Sequence, residues 1–223
     1  ERAEVTLSWP IENMGPSLPN LVATAAEVGQ SEHVRQRGQD LLHERARPVR
    51  RAGRTIAVLS IHDMLDSGRP HTRLEESYAS MGDDLFVMVA EGSWPTSTSP
   101  SGARRGAPRV GDGVMRLTRS GHVEYASPNA LSAIRRMGAS GAIEGESLVQ
   151  VVSSLPGQAG HVDEGLALVA MGRAAWRADL TVQGAALALR AVPLVQGRER
   201  HGAIVLVRDV SELRRRGTEL MTK

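Results

Sequence analysis

Cysteine is absent from all 223 residues, which excludes a disulfide framework, a thiolate nucleophile and a cysteine-based zinc site together. That absence suits a reducing compartment, and a cytoplasmic location is the expectation. Lysine is almost as scarce. Lys223 is the only one, so neither a Schiff-base lysine nor the lysine of a phosphate-binding loop is available earlier in the chain. Aromatic side chains make up 3% of the sequence. The core must therefore come from Ala, Val, Leu, Ile and Met, and a base-stacking surface has little to be built from. No apolar run approaches the roughly 20 residues that cross a bilayer, and the first residues lack a basic start followed by an apolar stretch.

What is present is a core-forming composition, 41% hydrophobic and 23% charged, on a length that fits two domains of ordinary size. The formal net charge is only +2. The sequence pI of about 9.6 overstates the basicity at pH 7, because nearly all the bases are arginines that stay charged at high pH. These arginines gather in short clusters, Arg45 to Arg54, Arg104 to Arg109 and Arg214 to Arg216. One function class for such clusters is a nucleic-acid or anionic-partner binding module, whose binding would fall steeply with added salt.

The clearest boundary is Ser93 to Pro108, a Ser, Thr, Pro and Gly stretch with neither helical nor strand periodicity. Before it, Leu74, Tyr78, Met81, Leu85 and Met88 recur at spacings of three and four, which predicts an amphipathic helix from about Arg73 to Glu91. Its stripe could pack on its own domain or on a second subunit. Arg54 to His62 reads as a strand between the turns Ala52-Gly53 and Asp66-Ser67-Gly68, and Val5 to Trp9 as an earlier one. Residues 10 to 45 show no pattern beyond a short helix at Leu21 to Val28.

After the boundary, Gly113 to Thr118 and His122 to Ala126 read as a hairpin through Arg119-Ser120-Gly121. Asn129 can cap a short helix running to about Met137, and Glu146 to Ser153 and Val162 to Met171 are further helical stretches. Three strands follow, Ala175 to Val182, Ala186 to Val195 and Ala203 to Val210. This order predicts an α+β fold, an antiparallel five-stranded sheet with helices on one face.

Catalytic chemistry finds no anchor. There is no Gly-x-Ser-x-Gly nucleophile elbow. Gly111-Asp112-Gly113 lacks the third glycine of a dinucleotide loop and precedes a strand rather than a helix. His62-Asp63, at a strand end, reads as a turn rather than a metal pair, and His161 as a solvated helix start rather than a haem ligand. The expectation is no catalytic residue, no metal site and no cofactor.

Gly121, the strand His122 to Ala126, Ser127-Pro128-Asn129-Ala130 and the closing Arg208-Asp209-Val210-Ser211-Glu212 resemble a PAS domain. Gly111-Asp112-Gly113, Tyr125 to Ala133, Pro193-Leu194-Val195 and Met88 to Gly92 look like the sensor region of PdtaS-type histidine kinases of actinobacteria. The resemblance implies a GAF-like domain over residues 1–92, a linker over 93–109, a PAS domain over 110–213 and the start of a signalling helix over 214–223. It implies a sensory input region for a kinase core of the same polypeptide, phosphotransfer to an ANTAR-type response regulator, a homodimer, and neither direct nucleic-acid nor membrane contact. No phosphoacceptor histidine box, Asn box or glycine-rich ATP lid stands within the chain, which by itself is expected not to phosphorylate anything. A PAS pocket would draw on Tyr125, Met137, Leu148, Leu166, Met171, Leu187 and Leu189, residues that serve equally as filled core. Signal transmission is expected at Asn129, Asp209 and Glu212, where the closing aspartate joins the sheet to the outgoing helix. The alternative there is an exposed turn with a solvated basic helix.

Overall fold

Two antiparallel sheets organise the residues that the computed structural model describes, namely 4–8, 25, 29–37, 40–65, 70–94, 109, 111–157, 164–173, 177–182 and 184–212. The chain separates into two compact units, Glu1–Pro95 and Thr96–Lys223. Residues 95–108, most of Leu21 to Val28, Asp66-Ser67-Gly68, His161, Arg104 and Arg214 to Arg216 lie outside the described residues.

In the first unit, β1 (Glu4–Ser8), β2 (Ser31–Arg37), β3 (Asp40–Arg51) and β4 (Arg54–Leu65) pair in the order β1-β4-β3-β2. Strands β2 and β3 occupy much of the region whose sequence shows no pattern, and this corrects that reading. The reason is local. On β3 the buried positions Glu44, Ala46 and Pro48 alternate with the half-buried His43, Arg45 and Arg47, so neither face reads as apolar. Pro48 is tolerated because pairing with β2 stops at Ala46, leaving β3 without a ladder partner on that side among the described residues, where an N–H is missing. Ala52 (φ 49°) and Gly53 (φ 77°) both take the left-handed conformation between the paired Arg51 and Arg54, the geometry of a tight two-residue hairpin.

Helix α1 (Arg73–Ala90) starts at a reciprocal cap: the Glu75 N–H donates to Thr72 Oγ1 at 3.3 Å while the Thr72 N–H donates to Glu75 Oε2 at 2.7 Å. Its expected stripe divides. Met81 and Met88 are buried, whereas Leu74 and Tyr78 stay 42% and 44% exposed. Phe86, absent from the expected stripe, packs with Leu59 and Ile61 of β4.

In the second unit, β5 (Gly113–Thr118), β6 (Val123–Ala126), β7 (Arg177–Val182), β8 (Ala185–Gln196) and β9 (Glu199–Asp209) form a five-stranded sheet in the order β6-β5-β9-β8-β7, every pair antiparallel. Between β6 and β7 run α2 (Pro128–Arg136), α3 (Leu148–Ser153) and α4 (Glu164–Ala170). Alternate sheet residues Met115, Leu117, Leu187, Leu189, Ala203, Val205 and Val207 share one buried cluster with Ala130, Ile134, Leu148, Val152, Leu166 and Val169 of the three helices. Period-two alternation places those strand residues on one face, so the helices do lie on a single side.

Gly113 allows the contact between β5 and α2: a Cβ there would stand 2.4 Å from Cα and N of Ala130. Gly121 turns the β5–β6 hairpin at φ 85°. One cap differs from expectation. Ser127, not Asn129, begins α2: its Oγ accepts from Ala130 N at 3.3 Å and from Val114 N at 2.9 Å, and Pro128 fills the first helical position. A proline there needs no N–H partner, which moves the cap one residue ahead of it.

Candidate functional site

Five of the seven candidate pocket residues lie on the helical side of the second sheet, whereas Tyr125 pairs with Arg116 and so faces the other side, which corrects its place in the expected pocket. Met137, Leu148, Leu166, Leu187 and Leu189 belong to the buried cluster, Tyr125 of β6 is buried, and Met171 just past α4 is half-buried. The polar groups that stand out are elsewhere, at the end of β9. The last residues of this strand are fastened in three directions.

The first tie is the most buried. Arg208 of β9 donates from Nε to both carboxylate oxygens of Asp112, at 2.9 and 3.1 Å, and from Nη2 to Oδ2 at 2.5 Å. The side chains are 16% and 8% exposed, and Asp112 Oδ2 also accepts from the Arg109 N–H at 2.9 Å. Burial works to raise the Asp112 pKa, yet the hydrogen bonds from Arg208 and Arg109 outweigh it and hold the carboxyl below its ordinary value. The same hydrogen bond raises the Arg208 guanidinium above its usual range. Planar, multiply bonded pairing of this kind suits arginine and not lysine.

The second tie runs to α2. Asp209 Oδ2 accepts from Arg136 Nη2 at 3.0 Å, and Oδ1 accepts from the Ser211 N–H at 3.0 Å. Hydrogen bonding from Ser211 is the largest cause of a lowered Asp209 pKa; burial opposes it and Arg136 adds to the lowering. The third tie runs to β8, where Ser211 Oγ accepts from the Ala186 N–H at 2.9 Å and Val210 N donates to Ala186 O at 2.9 Å. Sheet, helical layer and lead-in segment are thus all joined to β9 between Arg208 and Ser211.

The expected transmission residues separate in this geometry. Asp209 is in the joint and Glu212 is exposed directly after it, while Asn129 is exposed at the opposite end of α2 from Arg136. Sequence reasoning missed Asp112, Arg136 and Arg208 as a set. The aspartate between two glycines was a usable signal, since such an acid at a turn often receives backbone N–H groups. Of the arginine clusters, Arg45 is engaged by Asp83 at 2.6 Å. Among the described residues no group of three or more acidic or histidine side chains could hold a metal ion, and no helix is long and apolar enough to cross a membrane.

No protein-family model matches the chain. Among curated proteins, the sensor histidine kinase PdtaS of Mycolicibacterium smegmatis is 39% identical over 183 residues, covering 79% of this chain and 36% of that protein. The sensor histidine kinase PdtaS of Mycobacterium tuberculosis is 37% identical over 201 residues, covering 88% of this chain and 39% of that protein. The chain thus spans under two-fifths of the length of these relatives. A solved structure described as the sensor region of a sensor histidine kinase is 36% identical, covers 87% of this chain and 69% of its own, and superposes with a TM-score of 0.66. With that agreement in sequence and in fold, the chain belongs to the family of sensor histidine kinase sensor regions whose curated relatives are the PdtaS kinases.

Proposed function

We propose that this chain is the signal-input region of a cytoplasmic two-component histidine kinase, a GAF-like unit followed by a PAS domain. It sets the autophosphorylation of a kinase core in the same polypeptide, which works as a homodimer and passes the phosphoryl group to an ANTAR-type response regulator. Contact with nucleic acid and membrane is left to other proteins. The observation that carries this reading is the likeness to the kinase sensor region, 36% identical at a TM-score of 0.66.

The joint at the end of β9 supplies a mechanism. Asp209 holds α2 through Arg136 and the following backbone through Ser211. A displacement of the helical layer against the sheet therefore pulls on the segment that leaves the domain. Small shifts of packed elements between two arrangements are an established way to switch an output.

The test compares three proteins: the intact kinase, the kinase lacking residues 1–223, and the intact kinase carrying Asp209→Ala. Autophosphorylation is followed with labelled ATP. Removing the sensor region is expected to change the rate by about fivefold or more, the scale of a typical coupling free energy, and Asp209→Ala to move the rate toward that of the truncated kinase. Equal rates in all three would overturn the reading.

A further inference from the structure

Strand β3 turns three basic side chains onto one face, since His43, Arg45 and Arg47 alternate with the buried Glu44 and Ala46. Strand geometry spaces alternate residues about 6.5 Å apart. A cleft of about 420 Å³ opens beside them, with Asp83, Phe86 and Val87 of α1 forming the opposite wall. Two of the three bases are engaged: Arg45 Nη1 lies 2.6 Å from Asp83 Oδ1, and His43 Nε2 meets Glu32 Oε1. Arg47 is different, making no ion pair or hydrogen bond among the described residues. Arg47 is half-buried and lines the cleft beside Phe86 and Val87, its donors unused among the described residues.

We infer that this cleft binds a small organic carboxylate, the anion seated on Arg47 and the carbon body against Phe86 and Val87. A planar fork of N–H donors matches a carboxylate in shape as well as charge. The volume falls within the range of small-molecule sites, and the lining is more polar than most, with Gln30, Glu32, His43 and Asp83 beside Arg45 and Arg47, which suits a small charged ligand with a short carbon body. The neighbouring pair gives the site a consequence. The carboxylate that occupies Arg47 competes with Asp83 for Arg45, and the Arg45–Asp83 contact joins β3 to α1. Occupancy therefore trades a strand-to-helix tie for a ligand, which frees α1, the last helix before the division between the two units. This regulatory consequence rests on the sensor reading above; the binding itself does not.

Calorimetric titration of the 223-residue chain with hexanoate and benzoate, against hexanamide and benzamide at equal ionic strength, tests the site. The carboxylates are expected to bind and the amides to bind at least about tenfold more weakly, the scale of losing one charge-assisted hydrogen bond. Arg47→Gln is expected to weaken carboxylate binding by about tenfold or more. Asp83→Asn, which removes the competing carboxylate, is expected to tighten it by about threefold or more. Misfolding does not produce opposite shifts from two variants of one cleft. Equal binding of acids and amides, no detectable carboxylate binding, or unchanged affinity in Arg47→Gln would overturn the site and leave the sensor reading to its own test. Carboxylate binding with no change in autophosphorylation of the intact kinase would overturn the regulatory consequence alone.

Discussion

The two units meet their helices differently, although Phe86 of α1 also packs on Leu59 and Ile61 of β4. In the first, α1 lies against β3 across an ion pair, Arg45 with Asp83, and a cleft lined by charged side chains. In the second, α2, α3 and α4 meet their sheet through Ala, Ile, Leu and Val in one continuous buried cluster. Interdigitated apolar side chains resist displacement and transmit it as a body, because interiors are packed like organic crystals. Charged side chains around a cleft can exchange partners at modest cost. On the proposed sensor reading, the contrast suits the first unit to reception and the second to mechanical coupling.

The largest expected effect breaks the contrast most directly. Leu148 of α3 is fully buried in the second unit's cluster, and Leu148→Ala is expected to cost about 2–5 kcal/mol through lost transfer energy and the cavity left behind. Arg45→Met removes the ion pair with Asp83, whose side chains are 25% and 48% exposed, and is expected to cost under about 1 kcal/mol. Urea denaturation of each variant measures both. Equal losses would mean that the strand-to-helix contact in the first unit is as firmly held as the second unit's core.

Asp112→Asn comes next, at about 1.5–3 kcal/mol for hydrogen bonds to a charged partner, because it leaves the half-buried Arg208 without its anion. The pH dependence identifies the cause. The folded-state pKa of Asp112 lies below its ordinary value, so the stabilisation is complete above the unfolded value of about 3.9 and is lost as pH falls through the folded one. Between pH 7 and pH 3 the wild-type melting temperature should therefore fall further than that of Asp112→Asn. Parallel curves would show that this carboxylate carries no charge-dependent stabilisation.

The same contrast explains what was legible in the sequence. In the second unit, glycine turns bounded apolar strands, and all five were placed with ends within a few residues. β9 begins earlier than Ala203 because Arg200 and His201, polar residues at a strand end, resemble a loop, although Gln196 pairs with Glu199 around a two-residue turn. The helices on one face followed from element order. In the first unit β3 carries arginines on one face and Glu44, Ala46 and Pro48 on the other, so no periodicity announces a strand. The joint was half legible: Asp209 stood in a recognisable closing string, but Arg136 is 73 residues away in sequence and only folding brings the two together. The cleft offered no local signal, because its walls come from Gln30 and β2, from β3 and from α1, which are separate segments.

The smallest expected effect on stability is the sharpest probe of the joint. Arg136 and Asp209 are 60% and 41% exposed, so Arg136→Ala should cost under about 1 kcal/mol, solvent screening having removed most of the Coulomb term. Its effect on autophosphorylation should nevertheless equal that of Asp209→Ala if the Arg136 contact carries the coupling from α2. A double variant should then add nothing further to the rate, since both changes remove one contact. Should Arg136→Ala keep the intact rate while Asp209→Ala does not, the coupling runs instead through Ser211 and its bond to Ala186, along the sheet and not through the helical layer. The two routes differ in which layer must move, and a ligand in the second unit's core would act through α2 only by the first.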